Sequence, residues 1–212
     1  MFLAISLTEH TPDHSSLTVI RKRLALSVHE QMFAMVLAIA QRRGLLRGKT
    51  LLVDSTSLEA NAAMRSIVRK DTGENWTEYL TRLAEADGIE EPTAEELARY
   101  DKKRKGKKTS NKDWQSRTDP DARVTKMKDG STHLAHKAEH ATDLDSGAVL
   151  AVTVQAATLG DCTTLKATMM VASQNVQAVV ADEKCAENVS HTALTTWVAD
   201  KGYHSNETMT MA

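Results

Sequence analysis

The amino-acid sequence predicts an α/β protein in which helices cover a mixed sheet, and three observations carry that prediction. Thr50–Val53 and Trp197–Ala199 are short apolar runs without amphipathic alternation, which is typical of strands buried on both faces. Residues 132–155 alternate with a period of two around the turn signal LDSG, which predicts a β-hairpin. Helical patterns lie before the first run and after the hairpin, so helices and strands are mixed along the chain.

Composition limits the chain to one substantial domain or to one and a half small ones. It has 212 residues, a formal net charge of -1 and only 4% aromatic residues, so Ala, Val, Leu and Met must supply much of the core. Cys162 and Cys185 lack metal-type spacing and are interpreted as reduced thiols. The opening MFLAISL is too short for a signal peptide, and no run is long enough to span a membrane. We therefore expect a soluble cytoplasmic protein.

Residues 1–45 are predicted to form two helices. The stretch TPDHSSLTVIRKRL favours the first of them. Ser27 and Glu30 have the spacing of a capping box, so the second helix is predicted to begin at Ser27. Gly44 is in a position to end that helix.

Residues 55–115 are predicted to be an insertion after the first strand. Trp76–Ala86 and Thr93–Arg104 have helical patterns. Thr93 and Glu96 have the spacing of another capping box, which places the start of the second insertion helix. The insertion is therefore expected to be charged and largely helical.

A strongly basic block ends this insertion. Residues 99–112, RYDKKRKGKKTSNK, hold eight basic residues and one acidic residue, with no apolar periodicity, so an exposed loop or arm is expected. Lysines and arginines at this density can neutralise nucleic-acid phosphates, although a solvated loop explains them equally well. The residues predicted to contact DNA are Lys102, Lys103, Arg104, Lys105, Lys107 and Lys108, together with Lys201 near the end of the chain.

Each of the two apolar runs ends in an aspartate, Asp54 or Asp200. Carboxylates that follow neighbouring parallel strands converge at one edge of the sheet, where sites of α/β proteins usually lie. Converging anions repel each other unless a divalent cation lies between them, and Mg²⁺ accepts such carboxylates. Paired ions of this kind can promote phosphodiester transfer. The alternative is that Asp54 caps a helix and Asp200 holds a tight turn before Gly202.

Three histidines in the predicted hairpin raise the question of a zinc site. His136 and His140 share one face of the strand, whereas His133 points to the other, and no cysteine lies near. Ordinary strand residues lining a polar groove are therefore the favoured interpretation. Lys137 and Glu139 share the His133 face and can form a pair there.

Five stretches occur in the order found in one family: TPDHSSLTVIRKRL, LLVDSTSLEANA, TDPDARVTKMKDGSTHLAHKAEHATD, TLGDCTTL and VADKGYHS. On these stretches the chain resembles bacterial insertion-sequence transposases of the DDE type, which have a ribonuclease-H-like catalytic core. The resemblance implies that Asp54 and Asp200 are the first and second catalytic acids, that Mg²⁺ or Mn²⁺ is the cofactor, and that DNA is the partner. Lys201, Gly202 and Tyr203 stand where the family has its Asp-Arg/Lys-Gly-Tyr signature.

The resemblance also implies a domain division. Residues 1–45 correspond to the end of a helical amino-terminal domain, and residues 46–212 to a partial catalytic domain with an incomplete ribonuclease-H-like mixed sheet and the insertion at 55–115. The family's third acid is a glutamate on a later helix, and the sequence reaches Ala212 without that segment. The expected protein is thus a transposase fragment at the nucleoid, inactive alone, with apolar surface exposed beside its last strand.

Two other functions stay open. The fragment can act without catalysis, by binding DNA, a second copy of itself or full-length transposase as an inhibitor. An aspartyl-phosphate phosphatase with Asp54 as nucleophile is less favoured, because such enzymes carry a second aspartate two residues later and Thr56 occupies that position.

Overall fold

The computed structural model describes residues 13–46, 49–106, 110–180 and 196–205. These ranges contain helices, strands and two short 3-10 helices. The helices are α1 (His14–Arg23), α2 (Leu26–Arg42), α3 (Trp76–Ala86), α4 (Ala94–Lys103) and α5 (Asp161–Val180). The strands are β1 (Thr50–Glu59), β2 (Ile67–Arg69), β3 (Trp114–Ser116), β4 (Arg123–Lys126), β5 (Thr132–Asp143), β6 (Val149–Ala156) and β7 (Thr196–Ala199). The 3-10 helices are Met64–Ser66 and Lys201–Tyr203.

Five of the strands form one mixed sheet. β1 lies between β5, to which it is antiparallel, and β7, to which it is parallel from Thr50 opposite Thr196 to Val53 opposite Ala199. β4 and β6 pair with successive parts of β5 along its other edge. The expected parallel neighbours β1 and β7 and the expected β5–β6 hairpin are both confirmed. The fold class is therefore α/β with a mixed sheet.

The two faces of this sheet differ in their cover. On the covered face, defined by Leu51, Val53 and Ala141, the strands pack into a buried cluster with Leu165 and Ala172 of α5. This cluster is the main core of the protein. It is built almost entirely from Ala, Val and Leu, as the low aromatic content requires.

The open face, defined by Val152, Val154 and Val198, carries apolar side chains that are 46%, 62% and 39% exposed. Val152 and Val154 lie opposite His140 and Ala138 of β5, so the same face also carries the side chain of His140. The expectation of exposed apolar surface beside the last strand is confirmed at Val198.

The insertion folds as a packed unit. Helices α3 and α4 and the β2–β3 ribbon surround an aromatic cluster in which the ring of Trp114 lies 5.1 Å from that of Trp76 and 5.2 Å from that of Tyr79. Trp114 also joins a buried cluster with Leu134 of β5. Because Leu134 has the strand parity of His140, the insertion packs on the open face of the sheet, beyond the valines.

The helix ends agree with the sequence in the insertion and disagree at the start of α2. The Thr93–Glu96 capping box is present, and α3 has the bounds that its pattern predicted. The capping box expected at Ser27 was wrong. Helix α2 begins at Leu26, because the extended backbone of Ala25 separates it from α1. Ser27 therefore lies inside the first turn, and no side chain caps the helix.

Two further expectations need correction. β1 does not end at Asp54 but continues to Glu59, because β5 still offers backbone partners there; residues 55–59 therefore belong to the sheet and not to the insertion. The basic block is not wholly a loop, because Lys102 and Lys103 form the last turn of α4.

Candidate functional site

Asp54 and Asp200 lie at the same level of the sheet, Asp54 within β1 and Asp200 directly after β7. Val53 and Ala199 are the last parallel pair of β1 and β7, and each aspartate is the next residue. Neighbouring strands lie ~4.8 Å apart, so the backbones of the two residues are close together. On its other side Asp54 lies opposite His140, and its side chain therefore points to the open face.

Both carboxylates are exposed and only partly used by hydrogen bonds. Asp54 Oδ1 accepts a bond of 2.8 Å from the backbone N–H of Ser55, and Asp200 Oδ1 accepts one of 2.7 Å from the N–H of Gly202. Within the described ranges, the second oxygen of each carboxylate has no partner. Free carboxylate oxygens are the ligands that Mg²⁺ and Mn²⁺ accept, and Mg²⁺ keeps several waters.

These two residues fit such a cation as partial ligands. Among the described residues, no group of three or more His, Cys, Asp and Glu side chains is arranged to hold a metal ion. An ion held by Asp54 and Asp200 would therefore take its remaining ligands from water or from a bound phosphate.

The three histidines of β5 differ in their partners. His133 contacts Glu59 through a 2.6 Å bond, and His136 contacts Asp119 through a 2.8 Å bond that lowers the pKa of the Asp119 carboxyl. His140 has no hydrogen-bond partner in the described part of the chain. It is thus the histidine that is free to meet a ligand beside Asp54 on the open face.

A buried ionic network lies on the covered face, directly behind the two acids. Lys137, 5% exposed, places its ammonium 2.5 Å from Asp161 Oδ1 and 3.4 Å from Glu139 Oε1. It also donates a bond of 2.8 Å to Thr164 Oγ1. The expected Lys137–Glu139 pair is confirmed. The hydroxyl of Ser55, the residue after Asp54, donates a 3.1 Å bond to the same Asp161 oxygen.

Glu139 is fully buried and stays satisfied by hydroxyl groups. It accepts bonds from Thr164 at 2.7 Å, from Thr168 at 2.5 Å and from the phenol of Tyr203 at 3.1 Å. Burial is the main cause that raises the pKa of Tyr203, so its hydroxyl keeps its proton and acts as the donor. Each acid-bearing segment is therefore attached to this network, through Ser55 or through Tyr203.

Gly202 occupies a place with no room for a side chain. A Cβ atom there would lie 2.9 Å from Asp200 Oδ1 and 3.0 Å from Asp161 Oδ2. Both carboxylates thus approach the same point at the start of α5. The absence of a side chain at Gly202 allows Asp200 and Asp161 to lie this close.

Gly202→Ala should therefore shift the Asp200 turn and lower the free energy of unfolding by about 1–3 kcal/mol, as overpacking does. Gly160→Ala is the matched control, since a Cβ at Gly160 meets nothing within 4 Å. Chemical denaturation measures both. Equal stabilities of the two variants would contradict the crowding described at Gly202.

The residues predicted to contact DNA lie in different settings. Lys102, Lys103 and Lys105 are exposed at the end of α4, and Lys201 is exposed beside Asp200. Lys107 and Lys108 lie outside the described residues.

Arg104 is held inside the insertion, unlike the neighbouring lysines. It bonds to Asp101 at 3.1 Å and lies 5.7 Å from the ring centres of both Trp76 and Tyr79. Its guanidinium is therefore engaged by the folded insertion.

Sequence reasoning missed Asp161 and Ser55 as members of the site. Asp161 has the pattern of a helix cap, and it does begin α5. Its contact with Lys137 depends on how β5 and α5 pack, which no short motif encodes.

No single helix within the described ranges could cross a membrane. The segments Ser15–Arg23 and Leu26–Arg42 are long and apolar enough for a span only when taken together, and they are bent by 102° relative to each other.

Comparison of the chain with family models, with curated proteins and with solved structures gave no match.

Proposed function

We propose that this chain is part of a DDE-type DNA transposase with a ribonuclease-H-like core, acting in the cytoplasm at the nucleoid. The observation that carries the proposal is the placement of Asp54 and Asp200 on adjacent parallel strands, each exposed and with an oxygen that lacks a partner among the described residues. The order β6–β5–β1–β7, with one parallel strand beside three antiparallel ones, supports the proposed core.

Asp54 and Asp200 would hold Mg²⁺ or Mn²⁺ at the edge of the sheet where β7 ends. When bound, such an ion stabilises the charge that develops on phosphate oxygens. Lys201, exposed next to Asp200, offers a cation to the DNA backbone. Asp161 takes no part as a ligand in this proposal, since the ammonium of Lys137 already neutralises it.

DNA would approach along the open face. The insertion packs on that face, and its helix α4 ends in the exposed residues Lys102 and Lys103, followed by Lys105. Exposed lysines form point-charge contacts with phosphates and do not read base sequence. The insertion thus supplies general affinity for DNA.

Replacing Lys102, Lys103 and Lys105 together by alanine should weaken DNA binding to a similar degree for every sequence. The slope of log K against log salt should become shallower by about 0.9 for each phosphate that the protein no longer neutralises. Lys166→Ala, an exposed lysine of α5 on the covered side of the sheet, is the control and should leave the slope unchanged. Salt-dependent fluorescence anisotropy measures both; an unchanged slope in the triple variant would exclude these lysines from the interface.

The second candidate function is binding of DNA or of transposase without catalysis. The presence of only two candidate metal ligands, Asp54 and Asp200, among the described residues favours this function when the chain acts without a partner. Two-ion phosphoryl transfer needs fixed charges on both sides of the reacting phosphate, and the described residues bring no third metal-binding side chain to Asp54 and Asp200. We therefore expect cleavage only where a further acidic group joins Asp54 and Asp200, from this chain, a second copy or full-length transposase.

A cleavage assay separates the two functions. The chain is incubated with Mn²⁺ and DNA that carries the ends of its element, alone and with full-length transposase. Cleavage that disappears in Asp54→Asn marks the catalytic function. DNA binding without cleavage under every condition marks the binding function.

A further inference from the structure

The buried network on the covered face connects the two strands that carry the acids. From Asp54 the connection runs through the next residue, Ser55, whose hydroxyl bonds to Asp161. From Asp200 it runs through Tyr203, whose hydroxyl bonds to Glu139. Lys137 lies between these two carboxylates and contacts both.

Tyr203 is the anchor of the turn that begins at Asp200. Its side chain is 3% exposed and packs in the main core, although Lys201 and Gly202 before it are exposed. The ammonium of Lys137 also lies 5.8 Å from the centre of its ring, within the range of a cation–π interaction. Only four residues form β7, so few backbone bonds of the sheet hold this segment in place.

From these contacts we infer that Lys137, Glu139 and Tyr203 are positioning residues, which fix Asp200 relative to Asp54. This inference rests on the proposed function, in which the two carboxylates share a cation. Residues behind metal ligands typically contribute about 10–100-fold to metal affinity, because they hold the ligands in the binding geometry. The buried charges then have a role beyond packing, since an apolar core would not tie the turn to β5 by directed bonds.

Tyr203→Phe tests the tether with little disturbance, because it removes the hydroxyl and keeps the ring. Its control is Thr153→Val, which likewise removes one hydroxyl, here from the contact between β6 and α5. The Thr153 hydroxyl bonds to Thr168 at 2.6 Å and to Gln155 at 3.2 Å, and neither partner belongs to the Asp200 turn. A purely structural role would make the two variants alike.

Two measurements are made on each folded variant: amide hydrogen exchange at Gly202, whose N–H donates to Asp200, and Mn²⁺ affinity. We expect Tyr203→Phe to raise the exchange rate at Gly202 and to weaken Mn²⁺ binding by about 10-fold. Thr153→Val should change each by less than ~2-fold, since it breaks no contact of the network with the turn. Wild-type values for Tyr203→Phe, or equal changes in both variants, would overturn the inference.

Asp54→Asn keeps this test distinct from that of the proposed function. If Mn²⁺ binding does not depend on Asp54, the proposed function fails. Faster exchange at Gly202 in Tyr203→Phe would then still support the tether, because that measurement needs no cation.

Discussion

Lys137→Met should lower the free energy of unfolding by about 3–5 kcal/mol, the usual effect of breaking a buried ion pair by removing one partner. Lys137 is the cation in direct contact with both Glu139, which is fully buried, and Asp161. Methionine has similar length and is apolar, so packing is largely retained while two carboxylates lose their counter-charge. Urea denaturation followed by circular dichroism measures the change.

The control for this prediction is Lys102→Met, since Lys102 is exposed on α4 and should change stability by no more than about 0.5 kcal/mol. The double variant Lys137→Met/Glu139→Gln should recover part of the loss, because it also removes the uncompensated buried charge. A loss below about 1 kcal/mol in Lys137→Met would show that the network is not held by this cation.

Asp54→Asn and Asp200→Asn should each weaken Mn²⁺ binding by more than about 100-fold, since the residues behind metal ligands alone contribute about 10–100-fold. Asparagine keeps the shape of the side chain and removes the charge on which a hard cation depends. Isothermal titration calorimetry measures the affinity. Asp145→Asn is the matched control, because Asp145 is exposed in the β5–β6 turn, away from the end of β7.

Loss of binding in only one of the two variants would contradict a shared ion. Asp54 and Asp200 would then act separately, and the alternative from the sequence would return, in which Asp200 only holds its turn. Its bond to the N–H of Gly202 supports that local role in either case.

The main features of the sheet could be predicted because they depend on local patterns. The apolar runs at Thr50–Val53 and Trp197–Ala199 have no polar face, which is typical of strands in the interior of a sheet. Both runs do form strands, but the expected burial on both faces was wrong for β7, an edge strand whose residues are mostly exposed. The β5–β6 hairpin follows from alternation and from Gly147, whose φ of 73° suits the turn between the strands. Asp54 and Asp200 could be located for the same reason, since each follows such a run.

The network behind the acids could not be predicted as a whole, because it depends on packing between distant segments. Ser55 and Asp161 are 106 residues apart in sequence, and Tyr203 and Glu139 are 64 apart. Alternation placed Lys137 and Glu139 on one face, but only the packing of α5 against β5 brings Asp161 to them. The extension of β1 to Glu59 was missed because polar residues after Asp54 gave no strand signal, although β5 supplies their partners.

Paramagnetic broadening by Mn²⁺ tests most directly whether Asp54 and Asp200 share a cation. The amide spectrum of the labelled protein offers two reporters: the N–H of Ser55 bonds to the Asp54 carboxylate, and the N–H of Gly202 bonds to that of Asp200. Asp145, in the distant β5–β6 turn, is the reference signal. A shared site predicts that the Ser55 and Gly202 signals broaden together at substoichiometric Mn²⁺, that the Asp145 signal broadens much less, and that Asp54→Asn and Asp200→Asn each abolish the effect at both. Loss of the effect in only one of the two variants, or no broadening in the wild type, would contradict the shared site.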